Sequence, residues 1–188
     1  MGDPAGVGPE VIVGAWSNAQ IHDATRPVVL GHPEILRRAA KLLKRNLNVV
    51  EVDASTPLND VVAHPDVLSC VKACDDRVLD VPVGKLNAQA GEAAYQAVRL
   101  AADWALEKKV DGIVTAPLSK AALHAAGHKY PGHTELLAEI CGVKEFAMML
   151  YLPPGEAVRS PSGFACLVAP PPGCQNAPTV AFSRPLAL

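Results

Sequence analysis

Three short stretches of this sequence carry residue types and spacings suited to holding an anion. In Gly2-Asp3-Pro4-Ala5-Gly6-Val7-Gly8-Pro9-Glu10, three glycines run straight into a helix start. Backbone N–H groups can therefore approach an anion while the positive end of the helix faces it. Asp3, Gly6, Gly8 and Glu10 are the residues such a ligand would meet. The stretch lacks the Lys-Ser/Thr ending of an ATP phosphate loop and the three-glycine dinucleotide spacing, so a plain tight turn accounts for it equally well.

The second stretch, Thr115-Ala116-Pro117-Leu118-Ser119-Lys120, leaves an apolar run and enters a helix. That is the edge of a parallel sheet where ligands sit. Lys120 either holds a phosphate or carboxylate from there or is a solvated helix lysine. The third is Gly132-His133-Thr134-Glu135, where Gly132 permits close backbone approach and His133 offers an imidazole. Thr134 can both cap the helix and bond a phosphate; the alternative is a capping-only Thr134 with a structural His133.

Other polar residues carry less. His124 and His128 lie four apart with Gly127 between them and no carboxylate in a metal-binding pattern, so they read as surface histidines. Asp111 sits at the entrance of an apolar run and reads as structural, and His22, His32 and His64 show no partner pattern. Five scattered cysteines, Cys70, Cys74, Cys141, Cys166 and Cys174, are an odd number and fit reduced thiols rather than a disulfide framework. No metal-ligand set with suitable spacing is visible.

These stretches need a scaffold, and the text alternates apolar runs with amphipathic ones. That pattern predicts α/β architecture, a mainly parallel sheet with flanking helices. Strands are expected at Pro27 to Leu30, Asn48 to Val52, Val110 to Thr115 and Phe146 to Leu152. Helices are expected at Pro9 to Ala19, His32 to Arg45, Ala88 to Lys108, Leu118 to Ala126 and Thr134 to Cys141, the last two ending at Gly127 and Gly142. Ser55 to Leu86, with Pro57, Pro65 and Pro82, reads as a hairpin or an excursion rather than part of the central sheet. Residues 159–188 form a separate proline-rich, divergent tail expected to be irregular: Pro161 to Leu188 holds six prolines, no Asp, Glu or Lys, and one charge at Arg184.

Composition bounds the partners. The chain has 188 residues, 49% hydrophobic and 19% charged, which allows a large core and excludes a mainly disordered protein. A net charge of −2 provides no field to collect nucleic acid or anionic lipid. No apolar run is long enough to span a bilayer and no signal peptide opens the chain, so a cytoplasmic protein with a small-molecule partner is expected.

Taken together, Gly2 to Glu10, Gly91-Glu92-Ala93-Ala94-Tyr95, Thr115-Ala116-Pro117, Lys120, Ala126-Gly127, Gly132-His133-Thr134-Glu135 and Leu137-Ala138-Glu139 resemble the 4-hydroxythreonine-4-phosphate dehydrogenase family of pyridoxal phosphate biosynthesis. The resemblance covers roughly residues 1–155. It implies an isocitrate/isopropylmalate-dehydrogenase-like fold with an incomplete second domain, residues 1–158 forming a partial dehydrogenase domain. It also implies a homodimer, NAD, and a divalent metal such as zinc, magnesium or cobalt. The implied reaction oxidises 4-hydroxythreonine 4-phosphate by hydride transfer to NAD to a β-keto acid, and decarboxylation then gives 3-amino-2-oxopropyl phosphate.

Within that family pattern His133 and Thr134 match the substrate-binding pair, and Lys120 matches a motif lysine with a catalytic, phosphate-holding or electrostatic role. The chain departs from the pattern after Tyr151, where the family's metal-binding histidines follow. None follows His133 here. The text after Phe164 looks unlike any family segment and reads as an out-of-frame continuation of a truncated coding sequence. The chain is therefore expected to be inactive alone. Two alternatives share the same motifs: a dehydrogenase of a four-carbon sugar-acid phosphate such as threonate 4-phosphate, and a non-catalytic phosphate-binding remnant.

Overall fold

A computed structural model describes residues 1–146. The expected strand at Phe146 to Leu152, apart from Phe146, and the tail at 159–188 lie outside the described residues. Three strands, β1 (Val29–Gly31), β2 (Asn48–Val52) and β3 (Val67–Lys72), form one sheet in the order β1-β3-β2 with both pairings parallel. Helices α1 (Gly8–Trp16), α2 (Ala19–Ala24) and α3 (Pro33–Leu42) surround the first two strands, and α4 (Ala88–Leu106), α5 (Lys120–Ala125) and α6 (His133–Ile140) follow the third.

Two strand expectations are corrected. The supposed excursion at Ser55 to Leu86 contains β3, the middle strand, because Val67 to Val71 is a buried apolar run that bonds a neighbour on each side. Conversely, Val110 to Thr115 forms no strand among the described residues. It carries a lone bridge position at Ile113, and Val114 is 71% exposed. An apolar run becomes a strand only where a partner ladder exists, and neither edge of the described sheet pairs with this one.

The sheet is held by large apolar side chains. Val13 and Trp16 of α1 pack with Leu36, Ala39 and Ala40 of α3 against Val29, Val49, Leu68 and Cys70. Pro9 and Glu10 in the first turn of α1 suit its fixed φ and its positive end. The Trp16 indole N–H donates to the carbonyls of His64 (3.2 Å) and Val67 (3.1 Å), fixing α1 to the start of β3. α3 opens on a histidine cap. His32, almost fully buried, accepts the Glu34 N–H at Nδ1 (3.2 Å) and places Nε2 2.9 Å from Asp76, so it does have partners that its sequence neighbours do not reveal. Lys72, then His32, hold the Asp76 carboxyl below its usual range.

The α4–α6 side is built differently. Asn87 caps α4 through the Gln89 N–H (2.7 Å) and Ser119 caps α5 through the Ala122 N–H (3.2 Å). α4 meets α5 at Gly91, where an added Cβ would overlap the carbonyl oxygen of Ala122, so backbone touches backbone. Val98 and Ala102 of α4 then pack on Leu136 and Leu137 of α6. Gly127 (φ +95°) and Gly142 (φ +66°) end α5 and α6 in the left-handed region, as the sequence signals indicate.

Candidate functional site

The N-terminal loop and the 115–120 loop meet backbone to backbone. Asp3 N–H donates to the Pro117 carbonyl (2.9 Å), and Gly2, at φ +75°, has no room for a side chain against Ala116 and Pro117. A Cβ at Gly8 would lie 2.7 Å from the Met1 carbonyl oxygen and 3.1 Å from that of Pro117. The glycines are thus consumed by the protein's own backbone, which favours the tight-turn reading of this loop over an open anion cradle. Asp3 braces the turn: its carboxylate is buried and Oδ1 accepts the Ala5 N–H (2.8 Å), while Gly6 N–H donates to the Asp3 carbonyl (3.1 Å). Glu10 has a buried Oε2 with no hydrogen-bond partner among the described residues.

Lys120 is the first residue of α5, with an exposed side chain whose Cε lies 3.7 Å from where a Cβ of Gly132 would stand. The lysine stem therefore runs beside the glycine that opens α6. Glu135 Oε2 lies 3.6 Å from the same point. Gly132 is the N-cap of α6, with an extended φ of 177° and no side chain capping the helix. Thr134 lies within α6 and is not the cap, which corrects the capping-only reading. The first-turn N–H groups of α6 thus have no side-chain cap, and such groups carry a partial positive charge.

His133 opens α6 beside them. Its Nε2 is buried with no hydrogen-bond partner among the described residues, and burial pushes the imidazole pKa below its usual value, favouring the neutral ring. A ligand oxygen placed there would satisfy a polar atom that the described residues leave unpaired. Lys120, Gly132, His133 and Thr134 are therefore gathered at one loop edge. No hydrogen bond among the described residues joins them to Asp3 or Glu10.

The loop between α5 and α6 is tied down by residues the sequence reading set aside. His128 Nε2 donates to Glu92 Oε2 (2.7 Å), and its ring stacks on Tyr95 with centroids 3.6 Å apart and planes at 11°. It is a packed residue rather than a surface histidine. His124 does stay exposed, with Nε2 2.8 Å from the Tyr130 carbonyl oxygen. Tyr130 Oη donates to Glu139 Oε1 (2.9 Å). Glu92 and Tyr95 share one face of α4 a helical turn apart, but nothing in that spacing points to His128, 36 residues away.

Among the described residues no three His, Cys, Asp or Glu side chains are grouped to hold a metal ion. The glycine loop, closed by Pro117, offers no cradle for a pyrophosphate. Burial raises the Cys70 thiol to about 12 and that of Cys74 to about 11, so both stay protonated at neutral pH. No described helix is long and apolar enough to cross a membrane.

Comparison with known proteins adds the identity of close relatives. Residues 23–158 match the family profile described as pyridoxal phosphate biosynthetic protein PdxA. The chain is 42% identical over 151 residues to a 4-hydroxythreonine-4-phosphate dehydrogenase of Trichlorobacter lovleyi, covering 80% of this chain and 44% of that protein. It is 40% identical over 151 residues to a D-threonate 4-phosphate dehydrogenase of Salmonella typhimurium, covering 80% and 45%. A crystal structure of a 4-hydroxythreonine-4-phosphate dehydrogenase from Burkholderia phymatum superimposes with a TM-score of 0.74 at 41% identity, over 81% of this chain and 45% of that one. The chain thus spans less than half the length of these relatives.

Proposed function

This chain belongs to the family of the pyridoxal phosphate biosynthetic protein PdxA, and on that premise we propose that it supplies the phosphate-binding wall of a dehydrogenase for a four-carbon hydroxy-acid 4-phosphate, 4-hydroxythreonine 4-phosphate first. The observation that carries the reading is the edge made by Lys120 and the uncapped start of α6, with a His133 Nε2 that has no partner among the described residues. A phosphate dianion there accepts from the α6 backbone N–H groups and from His133, takes the Thr134 hydroxyl as donor, and is balanced by the Lys120 ammonium. Held by its phosphate, the substrate presents its carbon chain away from α6 for oxidation at the carbon that bears the free hydroxyl next to the phosphate-bearing carbon.

NAD, when bound, accepts the hydride lost in that oxidation. No side chains among the described residues are grouped to fit the divalent metal expected for the complete protein. The complete protein is read as a cytoplasmic homodimer, with loss of carbon dioxide following oxidation.

D-threonate 4-phosphate is the second reading, favoured by relatives of that name at comparable identity. The two substrates share the phosphate end that Lys120, His133 and Thr134 address, so these residues serve either. The test is calorimetric titration of the 188-residue chain with each phosphorylated acid and with its dephosphorylated form. Binding that requires the phosphate and disappears in His133→Ala supports the proposal. Equal binding of phosphorylated and dephosphorylated acids overturns it.

A further inference from the structure

The stretch Gly91-Glu92-Ala93-Ala94-Tyr95 lies on α4, outside the phosphate-binding edge, yet the structure gives three of its residues one shared task. Gly91 brings α4 into backbone contact with α5 at Ala122, a closeness that only a residue without a side chain permits. One residue on, Glu92 grips His128 through a 2.7 Å bond, and Tyr95 lies flat against the same imidazole at 3.6 Å. Gln96 Nε2 donates to the other oxygen of Glu92 (2.9 Å), so the carboxylate is itself oriented. His128 is thus held along its edge and across its face by α4.

His128 stands immediately after the left-handed Gly127 that ends α5, and four residues before Gly132, which opens α6. A loop this short transmits a displacement of one end to the other. Resting on the site reading above, we infer that Glu92 and His128 are positioning residues: the pair, stacked on Tyr95 and registered by Gly91, sets where the start of α6 stands relative to Lys120. They touch no ligand. Their effect reaches the phosphate through Gly132 and His133, whose backbone and ring must lie within a fraction of an ångström of a productive arrangement. Glu92 is half-exposed and His128 is 23% exposed, so the bond is worth having for its direction rather than for stability.

The test uses the whole 188-residue chain, isotopically labelled, with inorganic phosphate as the probe and the amide resonances of Gly132, His133 and Thr134 as the readout. Glu92→Ala and His128→Ala are expected to shift those amides without ligand and to weaken phosphate binding by roughly tenfold each. The double variant should be no weaker than either single one, because both remove the same contact. Glu92→Gln, which can still hydrogen-bond His128, should recover most of the affinity, and a merely structural defect would not be rescued in that way. Thermal unfolding of each variant guards against loss of fold; should Glu92→Ala not fold, Glu92→Gln against His128→Gln carries the comparison.

Phosphate that perturbs the wild-type amides and is lost in His133→Ala, but binds unchanged in folded His128→Ala, overturns the positioning role alone. Phosphate that leaves the wild-type amides unmoved overturns the site reading, and the positioning role with it.

Discussion

The layer formed by the sheet with α1 and α3 and the α4–α6 group solve the same packing problem with different materials. The first joins its elements with parallel ladders and large apolar side chains, Val13, Trp16, Leu36 and Leu68 among them, and adds polar pins from Trp16, His32 and Arg37 to that apolar base. The second brings helices together over small residues and a glycine contact, then fixes the loop between α5 and α6 with directional polar bonds at His128, His124 and Tyr130. Apolar burial stabilises without specifying direction, whereas a hydrogen bond specifies direction with modest net stability. The candidate site hangs from the second group. Its geometry is therefore governed by contacts that contribute little to the fold, and the two properties can be damaged separately.

The largest effect that would break this contrast is expected from Trp16→Ala. Removing a buried indole and the N–H that donates to two backbone carbonyls should cost about 3–5 kcal/mol, read by denaturant unfolding. Loss of the sheet layer should take α4–α6 with it in one transition; a surviving α4–α6 transition would show two independent units. Next comes Gly91→Ala. Its methyl group meets backbone that cannot turn aside, so about 1–3 kcal/mol of destabilisation is expected. Its ligand affinity should fall further than its stability, and an unchanged affinity would separate the α4–α5 contact from the site.

Tyr130→Phe removes one exposed hydrogen bond to Glu139 and should cost under about 1 kcal/mol, with the amides of the 128–132 loop moving visibly in a spectrum. The smallest effect concerns pH. Burial lowers the folded-state pKa of His133 below its reference value of 6.5, so above that pH both folded and unfolded forms are neutral and nothing is lost. As pH falls below 6.5 the unfolded chain binds the proton first, and stability declines until the folded imidazole also titrates. His133→Gln should remove that part of the decline in denaturant melts taken between about pH 7.5 and 5.

How much of this was legible depends on whether the cause was local. The span of α4 follows from its repeat of Ala and Val at helical spacing, and the ends of α5 and α6 follow from Gly127 and Gly142, because each signal acts within a turn. β2 was likewise readable from Asn48 to Val52. β3 was not, since Pro65 and Pro82 dominate their surroundings and membership of the sheet is decided by β1 and β2, far away in sequence. The same distance hid the site's supports. His128 and Glu92 are 36 residues apart, and no spacing rule connects them. Motif and position make His133, Thr134 and Lys120 candidates, whereas the closing of the glycine loop by Pro117 needs coordinates.

The sheet order also has a consequence for how the chain acquires its shape in time. β1 and β2 are first in sequence, yet among the described strands each pairs only with β3. As the polypeptide is made, residues 29–52 hold two strands and the helix between them with no ladder to join. The sheet forms only when Val67–Lys72 arrives and is inserted between them. Because that insertion closes long loops before any ladder bond rewards it, β3 is expected to carry the rate-limiting contacts. Truncating Leu68 should therefore slow refolding, whereas truncations in α6 should mainly speed unfolding.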